Sequence, residues 1–432
     1  MTRNYAKYRD QFNVLTDWAA LRAGQRCPAV DGEFKKVLTA MDCARRALER
    51  MPPPAALRAC EPNTLAGIRA LRPAGTRRMW DTIPVPTYRD KLAGAWLGRM
   101  AGCTLGACVE FFSIEDLQRM AKYSKMSYPP TDYWTVAMSA YRMRYGKDIF
   151  LNYTRPHMKY VPVDDDLTYT ILDLLILEEY GVDFTPDDVG RAWLKYLPTA
   201  CTAERAALDT LKKGVPGRRA ALPDNPWIEW IGGDIRVDGW GYMAPAWPEK
   251  AAEFAYRETY VSHRYSGIYG GMYLAAAISA AFALNDTEAA LQAGLAEIPR
   301  DCRTALAVRW ALSQKRRVRN WKQARQAVDD KFLPMSLVHT DNNLCLTIFG
   351  LLIGGHDFTK VIGETVAMGM DNDCTAASAG SIFGAAYGKS AIPDKWYKCF
   401  HDKQRTYING HEWLKIGRTL KRFEACARKV FA

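Results

Sequence analysis

Among its 11 cysteines the chain has no C-x-x-C pair, and its six histidines are widely spaced along 432 residues. Zinc ribbons and thioredoxin-type redox motifs are thereby excluded. Met1 to Trp18 mixes Arg, Lys and Asp with apolar residues, so the opening lacks the apolar run of a secretory leader. An odd number of cysteines without such a leader implies reduced thiols and a cytoplasmic protein. The longest uncharged stretch, Tyr265 to Asn285, is rich in Ala and Gly and includes Ser266 and Ser279. It reads as a buried core helix, and no membrane span is expected. There is no arginine-rich arm, RNA-binding signature or other nucleic-acid motif. A nucleophile elbow is absent, which sets Ser-His-Asp catalysis aside. Clean two-residue alternation is scarce and no fixed-period repeat occurs, so sheet architectures and solenoids are disfavoured.

What is present is an ordinary globular composition, 48% hydrophobic and 25% charged, with a net charge of +12. That charge sits at the ends. Residues 1–86 carry 15 basic and 8 acidic residues, and residues 396–432 carry 9 and 3. The body between them is almost neutral. The excess reads as solvated helix faces, or as a surface for an acidic protein partner.

Helical periodicity dominates. An amphipathic helix over Glu33–Met51 stops at Pro52-Pro53-Pro54, and Asn63 is expected to cap a short helix, Thr64–Arg72. A long helix begins near Tyr88. Others are expected at Leu167–Tyr180, Val189–Tyr196, Pro248–Tyr260, Met272–Leu284, Thr287–Glu297, Cys302–Gln314, Trp321–Asp330, Leu344–Gly354, Phe358–Met368 and Thr375–Gly388. Together they predict an all-α protein: a basic helical extension over 1–86 ahead of one large helical domain over 87–432.

Two glycine stripes stand out. Gly94, Gly98, Gly102 and Gly106 recur every four residues with Glu110 in step, and so do Ala376, Gly380, Gly384 and Gly388. Residues four apart share a helix face. Each interior glycine costs roughly 1 kcal/mol relative to alanine, so such a face needs close approach of a backbone or a ligand. Asp371-Asn372-Asp373 precedes the second stripe, and Asp164-Asp165-Asp166 precedes the apolar run Leu167–Tyr180. One Asp serves as a cap, but three adjacent carboxylates exceed that need and repel one another. Oxygen donors without histidine suit a hard ion, Mg²⁺ or Mn²⁺.

These segments resemble the ADP-ribosylglycohydrolase family. Tyr88 to Glu110 is similar to its first helix, Asp164-Asp165-Asp166 to its Thr-Asp-Asp, and Asp371-Asn-Asp-Cys-Thr to its Asp-x-Asp-Thr. Ser262-His-Arg-Tyr-Ser-Gly-Ile-Tyr-Gly270 resembles its substrate loop. The resemblance spans about residues 87–395 and implies a large orthogonal helical bundle with one or two Mg²⁺ ions between its helices (Mn²⁺ as the alternative). It further implies hydrolysis of the bond between C1″ of ADP-ribose and an acceptor, ADP-ribosyl-arginine on a protein foremost. Asp164, Asp165, Asp166, Asp371, Asp373 and Cys374 would hold metal, with Glu110, Asp165 and Asp166 catalytic. Ser266, Gly267, Tyr269 and Gly270 would place the substrate. Three departures stand out: Asp164 replaces a metal-binding Thr, Cys374 replaces a hydroxyl ligand, and Cys103 replaces a common Asp of the first helix. A glycine-rich segment, Gly232 to Gly241, is a candidate diphosphate loop through Gly233 and Arg236, or else a structural turn. Trp240 and Tyr242 are candidates for adenine stacking or core. His263 reads as a packing residue and Asn342 as an N-cap. Two alternatives remain: an immunity protein that neutralises an ADP-ribosylating toxin through residues 1–86, and a hydrolase of another N-ribosyl compound.

Overall fold

The computed structural model describes residues 6–137, 151–222 and 224–432. The fold is all-α, and among the described residues the only sheet is a hairpin of Lys403–Arg405 and Trp413–Lys415. It is antiparallel, with Gln404 opposite Leu414. The chain divides into two compact units, residues 1–59 and 60–432.

The first unit contains the helices Ala6–Gly24 and Val30–Glu49, with the Phe12 and Phe34 rings 6.5 Å apart. No residue from 11 to 59 is buried, and Val14, Trp18, Leu21, Leu38, Met41 and Leu48 are 46–66% exposed.

The second unit begins before the long helix. Glu61 is 1% exposed and receives Arg303 through Nε at 3.0 Å and Nη2 at 2.8 Å. The Tyr269 hydroxyl donates to the Pro62 carbonyl at 2.6 Å, and the Tyr265 amide to Asn63 Oδ1 at 2.7 Å. The cap of the short helix Leu65–Leu71 is therefore Thr64, whose side chain accepts from the Gly67 amide. Asn63 does not cap it; its oxygen is engaged by the distant Tyr265.

At the centre runs Ser266–Leu284, almost wholly buried against Pro248–Thr259 and Thr287–Gly294. It is the one helix among the described residues long and apolar enough to cross a membrane, and its burial makes it a core helix. The most extensive pairing joins Val85–Ala107 to Asn372–Tyr387. A Cβ on Gly94 would meet the backbone of Gly384 and Gly388; on Gly98, Gly380; on Gly102, Ala376; on Gly106, Asp373. The two glycine stripes face each other, antiparallel, with backbones too close for any side chain.

Several helices begin earlier than apolar periodicity indicates: Val85 rather than Tyr88, Asp165 rather than Leu167, Ser266 rather than Met272, Thr340 rather than Leu344, Asn372 rather than Thr375. In each case from Asp165 onward the added first turn is buried although polar or glycine-bearing, which periodicity cannot register. Asn342 is not an N-cap; that role falls to His339, which accepts from the Asp341 amide at 3.1 Å. The helices Ala6–Gly24, Ile114–Tyr123, Thr202–Lys212 and Ile416–Phe431 lie outside the ranges that apolar periodicity predicts. The last buries Ile416, Thr419, Phe423, Cys426, Ala427 and Val430 and turns its basic residues outward.

Candidate active site

The antiparallel glycine pairing sets the site's geometry. Contact of Gly106 with Asp373 brings the C-terminal end of Val85–Ala107, and Glu110 just beyond it, to the start of Asn372–Tyr387. Asp164 caps the third helix, Asp165–Tyr180, by accepting from the Asp166 amide at 3.1 Å. Three helix ends thus deliver acids to one place. Ligand atoms lie within 4.8 Å of one another in three groups: Cys103, Asp164 and Asp166; Asp166, Asp373 and Cys374; Glu110, Asp371 and Asp373. Asp166 and Asp373 each belong to two, so the groups form a chain. All are buried.

Burial, and then the neighbouring Asp373, raise Asp166 well above the ordinary carboxylate range, with Arg99 opposing. Burial and the surrounding acids likewise raise the Cys103 and Cys374 thiols. The Cys374 thiol donates to Asp166 Oδ2 at 3.2 Å, and Asp166 Oδ1 has no hydrogen bond. Gathered anionic oxygens in a dry site are what a divalent cation would satisfy. The residues fit such an ion. Asp165 lies nearby, its charge felt by both Asp166 and Cys374.

Behind the acids lies a buried ionic layer. Arg99, fully buried on the first glycine helix, donates to the Asp166 carbonyl and Thr170 Oγ1, both at 2.9 Å. Its Nη1 is 3.0 Å from Asp238 Oδ1. Arg236 is also fully enclosed: 3.2 Å from Glu258, 3.6 Å from Glu204, hydrogen-bonded to Ser262 at 2.9 Å and set over Trp193. Its guanidinium is directed at these groups and not at an open surface.

The glycine-rich segment is a short helical turn, Ile231–Gly233, followed by the helix Asp238–Met243. Ile231 and Ile235 pack on Cys374. Gly233 fits against the Gly267 carbonyl, so this segment and the Ser266–Gly270 turn touch directly. Trp240 and Tyr242 are core: both are fully buried, and Trp240 stacks on Phe184 at 4.8 Å. Ser266, Gly267, Tyr269 and Gly270 form the buried first turn of the central helix. Ser266 Oγ donates to Asp341 at 3.1 Å, and Gly270 leaves room for the Asp234 carboxylate, which burial raises well above its usual range. His263 is buried and bonds Ser262 Oγ at 2.8 Å.

Two members of the site escaped sequence reasoning. Arg99 carried one signal, a lone charge inside the otherwise apolar run Leu92–Leu105. Cys103 carried another, its spacing on the glycine-bearing helix, and the structure groups it with Asp164 and Asp166.

A solved structure described as an ADP-ribosylglycohydrolase-related protein complex is similar to this chain at 19% identity, covering 80% of this chain and 98% of the other with a TM-score of 0.47. No match was found among curated proteins. The family model for ADP-ribosylglycohydrolase matches residues 84–424, which takes in every helix that delivers an acid to the site. The chain belongs to the ADP-ribosylglycohydrolase family and is a glycohydrolase of that class.

Proposed function

We propose that the protein hydrolyses the bond between C1″ of ADP-ribose and a modified acceptor, ADP-ribosyl-arginine on protein foremost, with Mg²⁺ as the resident ion. The observation that carries this reading is the convergence of Glu110, Asp164, Asp166, Asp371 and Asp373 in linked groups spanning no more than 4.8 Å each. Glu110, Asp371 and Asp373 would hold Mg²⁺ with oxygen alone, and Asp164 and Asp166 extend the donor set. When bound, such an ion polarises ribose hydroxyls and lowers the pKa of a coordinated water. Asp165 and Asp166 would meet the positive charge that develops at C1″, as carboxylates do in glycoside cleavage generally. Glu110, in the turn after a helix end, would be the residue placed to accept a proton from the attacking water.

The turn Ser266–Gly270 and Gly233, which pack on each other, would form one wall of the substrate site, with Ile231 and Ile235 packed on Cys374 beside it. Arg236 acts as a positioning residue, tying Glu204, Glu258 and Ser262 behind that wall. Replacing both Asp371 and Asp373 by Ala should abolish ADP-ribose release from ADP-ribosyl-arginine while the circular dichroism spectrum stays helical. Undiminished turnover would remove the metal assignment. Turnover of small nucleosides lacking ADP-ribose would instead favour the N-ribosyl alternative.

A second reading, capture of a protein partner through the N-terminal segment, is supported by one observation. Residues 11–59 bury no side chain and expose apolar residues at helical spacing, Val14-Trp18-Leu21 and Leu38-Met41-Leu48. If protection against an ADP-ribosylating toxin survives removal of residues 1–59 undiminished, this reading falls.

A further inference from the structure

We infer that the site is a mixed centre. One position is built of oxygen alone, and a second, thiophilic side is centred on Asp166, where Cys374 stands with Asp373 in one group and Cys103 with Asp164 in the other, selecting a transition ion of the Zn²⁺ or Co²⁺ class over Mg²⁺. The inference rests on the reading of this cluster as a cation site. It goes beyond that reading in assigning sulfur as ligand and in dividing the cluster by ion type.

The three linked groups are chemically unequal. Glu110, Asp371 and Asp373 offer only oxygen, whereas each group containing Asp166 includes one thiol. The two thiols reach Asp166 from different helices. Cys103 comes from the buried face of Val85–Ala107, and Cys374 from the first turn of Asn372–Tyr387. Both are buried, and both are free of disulfides. Cys374 is already oriented, with its sulfur 3.2 Å from Asp166 Oδ2 and its other side closed by Ile231 and Ile235.

Mg²⁺ demands near-octahedral oxygen ligation and dehydrates reluctantly, so a position with one sulfur per pair of carboxylates suits it poorly. Zn²⁺ and its neighbours accept mixed sulfur and carboxylate sets in four-coordinate geometry. A buried cysteine is ordinarily a small apolar filler set among aliphatic side chains. These two are set among carboxylates instead, Cys103 within 4.8 Å of Asp164 and Asp166 and Cys374 within 4.8 Å of Asp166 and Asp373. Ion binding would displace each ligating thiol's proton to solvent, leaving a thiolate on the metal.

Cobalt makes sulfur ligation visible, because a thiolate bound to Co²⁺ gives a near-ultraviolet charge-transfer band that oxygen ligands do not. The full chain, stripped with chelator, is titrated with Co²⁺ in the presence of a large excess of Mg²⁺. The expected result is growth of that band to one equivalent, undisturbed by Mg²⁺, with release of protons. Cys374→Thr should weaken Co²⁺ on the order of a hundredfold while leaving Mg²⁺ binding to the oxygen-only group intact. Cys103→Ser together with Cys374→Ser should abolish the band, and near-native circular dichroism of the single variant guards against misfolding. Binding of Co²⁺ without a thiolate band, or its displacement by Mg²⁺, overturns the mixed centre but leaves a cation site standing. Failure of Mg²⁺ and Co²⁺ alike to bind overturns both readings.

Discussion

Glu258 shows what burial does to individual side chains in this protein. Burial pushes its carboxyl up to about 7, with Arg236 opposing and Glu204 adding. A carboxyl whose folded pKa exceeds its unfolded value of 4.5 binds more protons in the folded state between those limits. Its contribution to stability is complete below pH 4.5 and is lost as pH rises to about 7. Asp173 and Asp234, both buried and raised, act in the same direction. The ion-free protein should therefore melt at a lower temperature at pH 8 than at pH 5.5. Glu258→Gln should flatten that difference in a calorimetric pH series, and a wild-type profile rising with pH would contradict the assignment. Arg99 is the converse case. Its removal strands Asp166 and Asp238 in a dry interior, so Arg99→Met should cost about 3–5 kcal/mol in denaturant unfolding. Asp238→Asn in the same chain should return part of that loss.

At the scale of elements, the glycine pairing can be tested against ordinary helix propensity. Alanine is favoured over glycine inside a helix by about 1 kcal/mol, and Gly32, with nothing within 4 Å of its would-be Cβ, should follow that rule. Gly32→Ala should raise helicity. Gly102→Ala should do the opposite: its Cβ meets the Ala376 carbonyl and carbon, rigid backbone that yields only if the two helices part. Parting them withdraws Asp373 from Glu110 as well, so loss of melting temperature and loss of cation binding should appear together. Helix starts show why the sequence was less legible here. Ser266, Asp341 and Asn372 lie in first turns that are buried by tertiary partners, so an apolar count begins each helix too late. Thr64 and Asn63 are adjacent and equally fit to cap. Only the amide of Tyr265, some 200 residues away, decides between them.

At the scale of the molecule, residues 60–86 belong to the second unit and are tied to the rest of it by Glu61–Arg303 and by Arg72, which reaches Glu297 at 2.7 Å. A chain of residues 60–432 should accordingly fold and keep the melting temperature of the full protein in differential scanning calorimetry. A chain of 87–432 should be destabilised, since Glu297 and Arg303 lose their partners. The basic C-terminal end is an amphipathic helix whose Arg418, Lys421, Arg428 and Lys429 are exposed, so the charge asymmetry reports on surface and not on the catalytic body.

The sequence by itself determined the helical class, the two glycine stripes and the acidic triplets, because each depends on spacing along one chain. It also named Asp164, Asp166, Asp371, Asp373, Cys374 and Glu110 as a set, through their order and their resemblance to a family. Only the tertiary structure decided that Cys103 shares Asp166 with Cys374 and that Arg99 lies beneath them. Those relations join residues tens to hundreds of positions apart. They exist because two helices stripped of side chains on one face can approach until their backbones touch, and that approach fixes everything carried at their ends.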